Sequence, residues 1–145
     1  SMIGHTLTAA GLAPEDPAGA EGAIREAALV IDALIGYGLR EAPRGETARL
    51  IGLSHHARRI LSLDIPSGLD ATSGQAPGLA VRPERTLALA LPKTGLYDLD
   101  GDLYLADIGI PPEAYHRMGL SFVWPAPERY KLRLLATAAR EKRPV

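Results

Sequence analysis

The stretch ILSLDIPSGLDATSG, residues 60–74, sets a carboxylate where an apolar run stops. Asp64 is followed at once by Pro66, Ser67 and Gly68. A second acid, Asp32, lies inside ALVIDALIGYG, residues 28–38. An acid within an apolar run is costly unless it is paired, ligated or at the rim of its element. An acid, a hydroxyl and free carbonyls beside a turn make an oxygen-rich pocket, suited to a hard cation or to hydrogen-bonding a polyol such as ribose. The simpler reading is that Asp64 and Ser67 cap the turn, as Asp and Ser often do. Glycines follow both acids, at Gly36, Gly38 and Gly68, and allow the backbone to approach a ligand closely.

These residues need elements to hold them. ALVIDALIG (28–36) reads as a buried strand ending in a Gly-rich turn, and ILSLD (60–64) as the next strand. Between them GETARLIGLSHHARR (45–59) reads as a helix. A strand, a helix and a strand make a βαβ unit, so the two strands are expected to be parallel. In such a sheet, ligands bind beyond the carboxyl ends of the strands, where both acids then stand at one edge. RTLALAL (85–91) reads as a third strand closed by Pro92. A helix is expected over 21–28, a hairpin turn at Asp100-Gly101, a short helix over 111–119, a last strand at SFVW (121–124) and a helix over 128–140.

Composition narrows the classes. With 145 residues, 46% hydrophobic and 23% charged, the chain is one domain with a packed core. A net charge of −1 gives no reason to expect nucleic acid or an anionic membrane as partner, and one Phe, five Tyr and one Trp form no stacking platform for bases. The absence of cysteine removes disulfides, thiolate metal sites and thiol catalysis, and is compatible with a reducing cytoplasm, the location expected. No apolar run approaches the roughly 18 residues of a membrane span, and no signal-peptide pattern is seen. His55 and His56 are adjacent on a helix and point to different faces, which argues against a shared metal. DLDGD (98–102) lacks the spacing of a calcium loop. Lys93, in LPKTG just past a strand, could reach a phosphate, although a solvated turn lysine is the commoner case; the same pair of readings applies to Arg40.

Four blocks in order, DALIGYG with RGE (32–46), LDIPSGLDATSG (63–74), RTLALALPKTGL (85–96) and ADIGIPPE (106–113), resemble the NAD(P)H-hydrate epimerase family, the YjeF N-terminal domain type. The resemblance implies a Rossmann-like three-layer α/β/α fold with a mostly parallel sheet, present here as a single partial domain over 1–145. It implies an isomerase of nicotinamide nucleotide repair, interconverting the R and S epimers of hydrated NADH or NADPH, usually as a homodimer, with a bound potassium ion. Carried over by position, Asp32 and Ser67 would bind the ion. Gly36, Tyr37, Gly38, Leu39, Arg40, Glu41 and Ala42 would touch the substrate, as would Asp64, which is also the expected acid/base. The alternative is a catalytically inactive nucleotide- or protein-binding module of the same fold. Residues 1–27 contain no counterpart of the family's Gly-rich GNNGGDG-like stretch, so the chain is expected to be N-terminally truncated relative to that pattern. An exposed sheet edge would follow, and with it a dimer.

Overall fold

The structure, a computed structural model, describes residues 17–134. Helix α1 (Pro17–Glu26) leads to strand β1 (Val30–Asp32), and helix α2 (Gly45–Ser54) returns the chain to β2 (Ile60–Leu63). Then follow β3 (Arg85–Leu89), a 3-10 turn at Thr94–Leu96, β4 (Asp102–Ala106), helix α3 (Pro112–Arg117) and β5 (Lys131–Leu134). The strands form one sheet in the order β1-β2-β3-β4-β5, parallel through β4, with β5 antiparallel to β4. This is the α/β fold with a mostly parallel sheet that the sequence suggests.

Register decides which face each side chain takes, because paired residues share a face and successive ones alternate. Asp32 pairs with Ser62, Ser62 with Thr86, and Ala88 with Leu105, and all five are buried. On that face Ile51 of α2 packs with Ile60 and Val81. Beside them Ile65, Leu69, Leu96 and Leu105 form a second cluster around Ala88. On the opposite face Ile31 is 53% exposed, and Leu61, Leu63, Leu87 and Leu89 are half-buried. A parallel sheet is normally covered on both faces, so this second face is the more open one among the described residues.

Several element bounds differ from the sequence reading. β1 has three residues rather than nine, because after Asp32 the chain leaves the sheet and Ile35 N–H turns to Ser67. β3 stops at Leu89, where Ala90 takes a left-handed φ of 64°. Asp100-Gly101 is not a hairpin turn: β4 runs parallel to β3, and the 3-10 turn makes the crossover. SFVW is not a strand; Pro125 and Pro127 lack the donors to continue a ladder. Its Phe122 and Trp124 still pack on the core, Phe122 edge-to-face with Tyr115 at 5.2 Å between centroids. The helix expected over 128–140 is strand β5 over 131–134, and 135–140 lie outside the described residues, as do 1–16. Lys131, Leu132, Arg133 and Leu134 alternate polar and apolar, and the free edge of β4 selects the period-two reading.

The turn after β2 is set by close packing. Gly68 has φ 95°, and a Cβ there would lie 2.2 Å from the Leu79 carbonyl oxygen and 2.8 Å from Ala80 Cα. Ser67 C=O meanwhile accepts from Val81 N–H at 2.8 Å. Gly68→Ala is expected to cost at least about 2 kcal/mol, from left-handed strain plus the displaced backbone. Urea denaturation reads this directly, and an unchanged midpoint would refute the close approach.

Candidate functional site

Asp32 ends β1 with its side chain on the packed face, 3% exposed. Its Oδ2 accepts from the Ser62 hydroxyl at 2.6 Å and from Ser67 N–H at 2.9 Å. Its Oδ1 accepts from the Ser67 hydroxyl, and more distantly from Leu34 N–H at 3.4 Å. The Ser67 oxygen accepts from Ile35 N–H at 2.9 Å and lies 3.4 Å from the Ile35 carbonyl oxygen. A buried carboxylate is thus satisfied by neutral donors, and among the described residues no cationic side chain pairs with it. The cluster welds the loop after β1 to the turn after β2.

Asp64 stands at the carboxyl end of β2 with φ 66°. Asp tolerates this region better than most residues, since its short polar side chain bonds locally. Its N–H donates to Leu87 C=O at 2.8 Å, which extends the ladder to β3. Its Oδ1 accepts from Leu89 N–H at 3.2 Å and from the Lys93 ammonium. Lys93 also donates to Leu89 C=O at 3.0 Å. The other oxygen, Oδ2, has no hydrogen-bond partner among the described residues. The carboxylate is 23% exposed and the lysine side chain 17%. A partly buried acid with one oxygen held and one open can give or take a proton at a fixed point.

The loop 36–42 follows β1. Tyr37 is 76% exposed, Gly36 and Arg40 are exposed, and Gly38 has φ 109°. Glu41 pairs with Arg44 at 3.2 Å, well out in solvent. Ala42 packs against Gly78, where a Cβ would meet its methyl at 2.9 Å. Leu39 and Arg40 line a cavity of about 230 Å³ with Asp70, Ser73 and Gln75. The Asp70 carboxyl is held below the usual carboxylate range, first by Ser73 N–H and then by the Ser73 hydroxyl. A roomier cavity of about 460 Å³ lies between Ser54–Ile60 and Arg82–Glu84. It opens at the amino ends of β2 and β3, away from both acids, so it has no part in the chemistry of either.

The two acids do stand at the carboxyl ends of neighbouring parallel strands. Their side chains take different partners, however. The Ser67 hydroxyl, three residues after Asp64 in the chain, bonds to Asp32, the acid with which the resemblance grouped it, while Asp64 is engaged by Lys93 and Leu89. Lys93 is a held residue rather than a solvated turn lysine. Ser62 escaped the sequence reading; its signal was a lone hydroxyl in the apolar run ILSL, two residues before Asp64. His55 and His56 point apart, His55 to Ala80 C=O and His56 to Arg25. Among the described residues no group of three His, Cys, Asp or Glu side chains could hold a metal, and no helix is long and apolar enough to cross a membrane.

Comparison with known proteins adds to this geometry. The family described as YjeF-related protein N-terminus matches residues 5–95. An NAD(P)H-hydrate epimerase of Dehalogenimonas lykanthroporepellens is 54% identical over 115 residues, covering 77% of this chain and 47% of that protein. One of Truepera radiovictrix is 46% identical over 101 residues, covering 67% and 46%. The bifunctional NAD(P)H-hydrate repair enzyme Nnr of Escherichia coli is 38% identical over 88 residues, covering 57% and 17%. The chain spans about half the length of the first two relatives. Among solved structures, yeast ynu0 superposes with a TM-score of 0.55 at 21% identity, covering 73% of this chain and 46% of that one, which is a likeness of fold.

Proposed function

The chain belongs to the YjeF-related protein N-terminus family, and from that premise we propose that it works as an NAD(P)H-hydrate epimerase, interconverting the R and S epimers of hydrated NADH or NADPH. The observation that carries the reading is Asp64: one carboxylate oxygen tied to β3 and the other open at the carboxyl end of a parallel sheet. Epimerisation requires the hydroxyl to leave its carbon and return on the other face, or the ring to open and reclose. In either course a proton moves to a substrate oxygen or nitrogen and is recovered when the bond re-forms. Asp64 is the group proposed to hold that proton, through Oδ2. The loop Gly36, Tyr37, Gly38, Leu39, Arg40, Glu41 and Ala42 is proposed to lie along the nucleotide, with Arg40 available to a phosphate.

A potassium ion fits the residues around Asp32. Among the described residues the buried carboxylate has no cationic side chain beside it, and the oxygens gathered there are one carboxylate, the Ser67 hydroxyl and the Ile35 carbonyl. A single carboxylate with neutral oxygens suits a hard monovalent cation better than a divalent one, which draws several acids. Asp32 and Ser67 are the proposed ligands. When bound, the ion would supply positive charge at the rim of the nucleotide site. The homodimer is likewise proposed, supported by the edge of β1, which has no partner strand among the described residues, and by the more open apolar face of the sheet.

The test incubates the protein with the R epimer of hydrated NADH and follows the S epimer by chromatography, in potassium and in choline buffers. Conversion above the spontaneous rate, faster with potassium, is expected from a preparation that sediments as a dimer. Tight binding of the hydrate with no conversion would replace this reading by that of a nucleotide-binding module.

A further inference from the structure

We propose, resting on the epimerase reading above, that Lys93 is the positioning residue of the acid/base: it fixes the Asp64 carboxylate so that Oδ2 alone faces the substrate. Three observations converge on it. Lys93 donates both to Asp64 Oδ1 and to Leu89 C=O, and Leu89 N–H donates to the same Oδ1, so one donor from the end of β3 and one from the segment after it grip one oxygen. The side chain is 17% exposed, unlike an ordinary turn lysine, and two of its three N–H groups are used in the grip. The backbone strain gathers at the same place. Among the described residues the non-glycine positions with positive φ are Asp64, at 66°, and Ala90, at 64°. They end the adjacent strands β2 and β3.

Ala90 is the more telling of the two. Unlike Asp it has no polar side chain to ease the left-handed conformation, which is unfavourable for an L-residue. The kink there ends β3 and starts the segment that brings Lys93 back over Leu89, four residues earlier in the chain. Backbone strain of this kind clusters at active sites and ligand clamps, and here the Lys93–Asp64 ion pair joins the two strained segments. Without Lys93 the carboxylate would keep a single neutral donor on Oδ1 and could turn either oxygen outward.

The experiment compares Lys93→Met, Lys93→Gln and Lys93→Arg in the full chain, with kcat and KM for the R epimer. In Lys93→Met, kcat is expected to fall about 100-fold with KM within about threefold, the pattern of an interaction made for the transition state. Lys93→Arg is expected to recover part of the loss, since it keeps the charge. The double variant Asp64→Asn/Lys93→Met should be no slower than Asp64→Asn alone, because residues that act as a unit are not additive. Lys93→Gln keeps a donor for Leu89 C=O and serves if the methionine variant folds poorly. If the unchanged protein turns over and the folded variants keep kcat within about threefold, or if the two losses multiply, the assignment is wrong. If the unchanged protein binds the hydrate but does not convert it, the epimerase reading itself fails and the role of Lys93 goes with it; that arm contains no substitution, so the two failures are told apart.

Discussion

Replacing Asp64 with asparagine is expected to lower epimerisation by about 10³-fold, in the middle of the range for losing a positioned proton-transfer group. Asparagine is the informative substitution. It is nearly isosteric, and it accepts a left-handed backbone about as well as aspartate, so the φ of 66° at this position is no obstacle. The side-chain carbonyl can still accept from Leu89 N–H and Lys93, in place of Oδ1. What disappears is a carboxylate oxygen able to take a proton at the open position. Alanine, by contrast, would add the cost of left-handed backbone to the loss of chemistry and confuse the two. Rates should therefore collapse while the urea midpoint moves little. Activity within about tenfold of the unchanged protein would remove Asp64 from the chemistry.

Asp32, unlike Asp64, should show a large effect on stability. Asp32→Ala is expected to destabilise the fold by about 3–5 kcal/mol, because it strips the acceptor from three strong donors at once. Those donors are the Ser62 hydroxyl, the Ser67 hydroxyl and Ser67 N–H. The hydroxyls can rotate in search of other partners, but the backbone N–H is fixed and would be left buried and unpaired. Asp32→Asn should cost less, since its remaining carbonyl oxygen can serve both Ser67 N–H and the Ser62 hydroxyl while the Ser67 hydroxyl turns to accept from the amide. The ordering alanine worse than asparagine is the result to look for in denaturant unfolding. Equal and small losses from both would mean that the cluster does not hold the two loops together.

Much of the site's position was legible because strand ends are written locally. An apolar run, an acid and a Pro-Ser-Gly turn mark the end of β2 at Asp64 without reference to the rest of the chain. The same holds for Asp32, whose cost inside an apolar run demanded partners even before these could be named. The βαβ pattern then dictated parallel strands and one common edge. What stayed hidden was which partner each acid takes. Ser62 is local to Asp64 in the chain, yet its hydroxyl serves Asp32, because β1 and β2 pair in the register that places Asp32 beside it. The segment Lys131–Leu134 fits a helix or a strand by its own pattern, and the unpaired edge of β4 chose the strand.

By itself, then, the order of residues determined the parallel α/β plan, the two acids at strand ends and the blocks that tie the chain to its family. Only the tertiary structure decided that Ser67 closes on Asp32 across 35 residues of chain and that Lys93 closes on Asp64 across 29. The reason is physical. Turns and strand ends are set by interactions between near neighbours, whereas a side chain's partner depends on which strands lie adjacent and in what register, and that is settled when the whole sheet buries its apolar face.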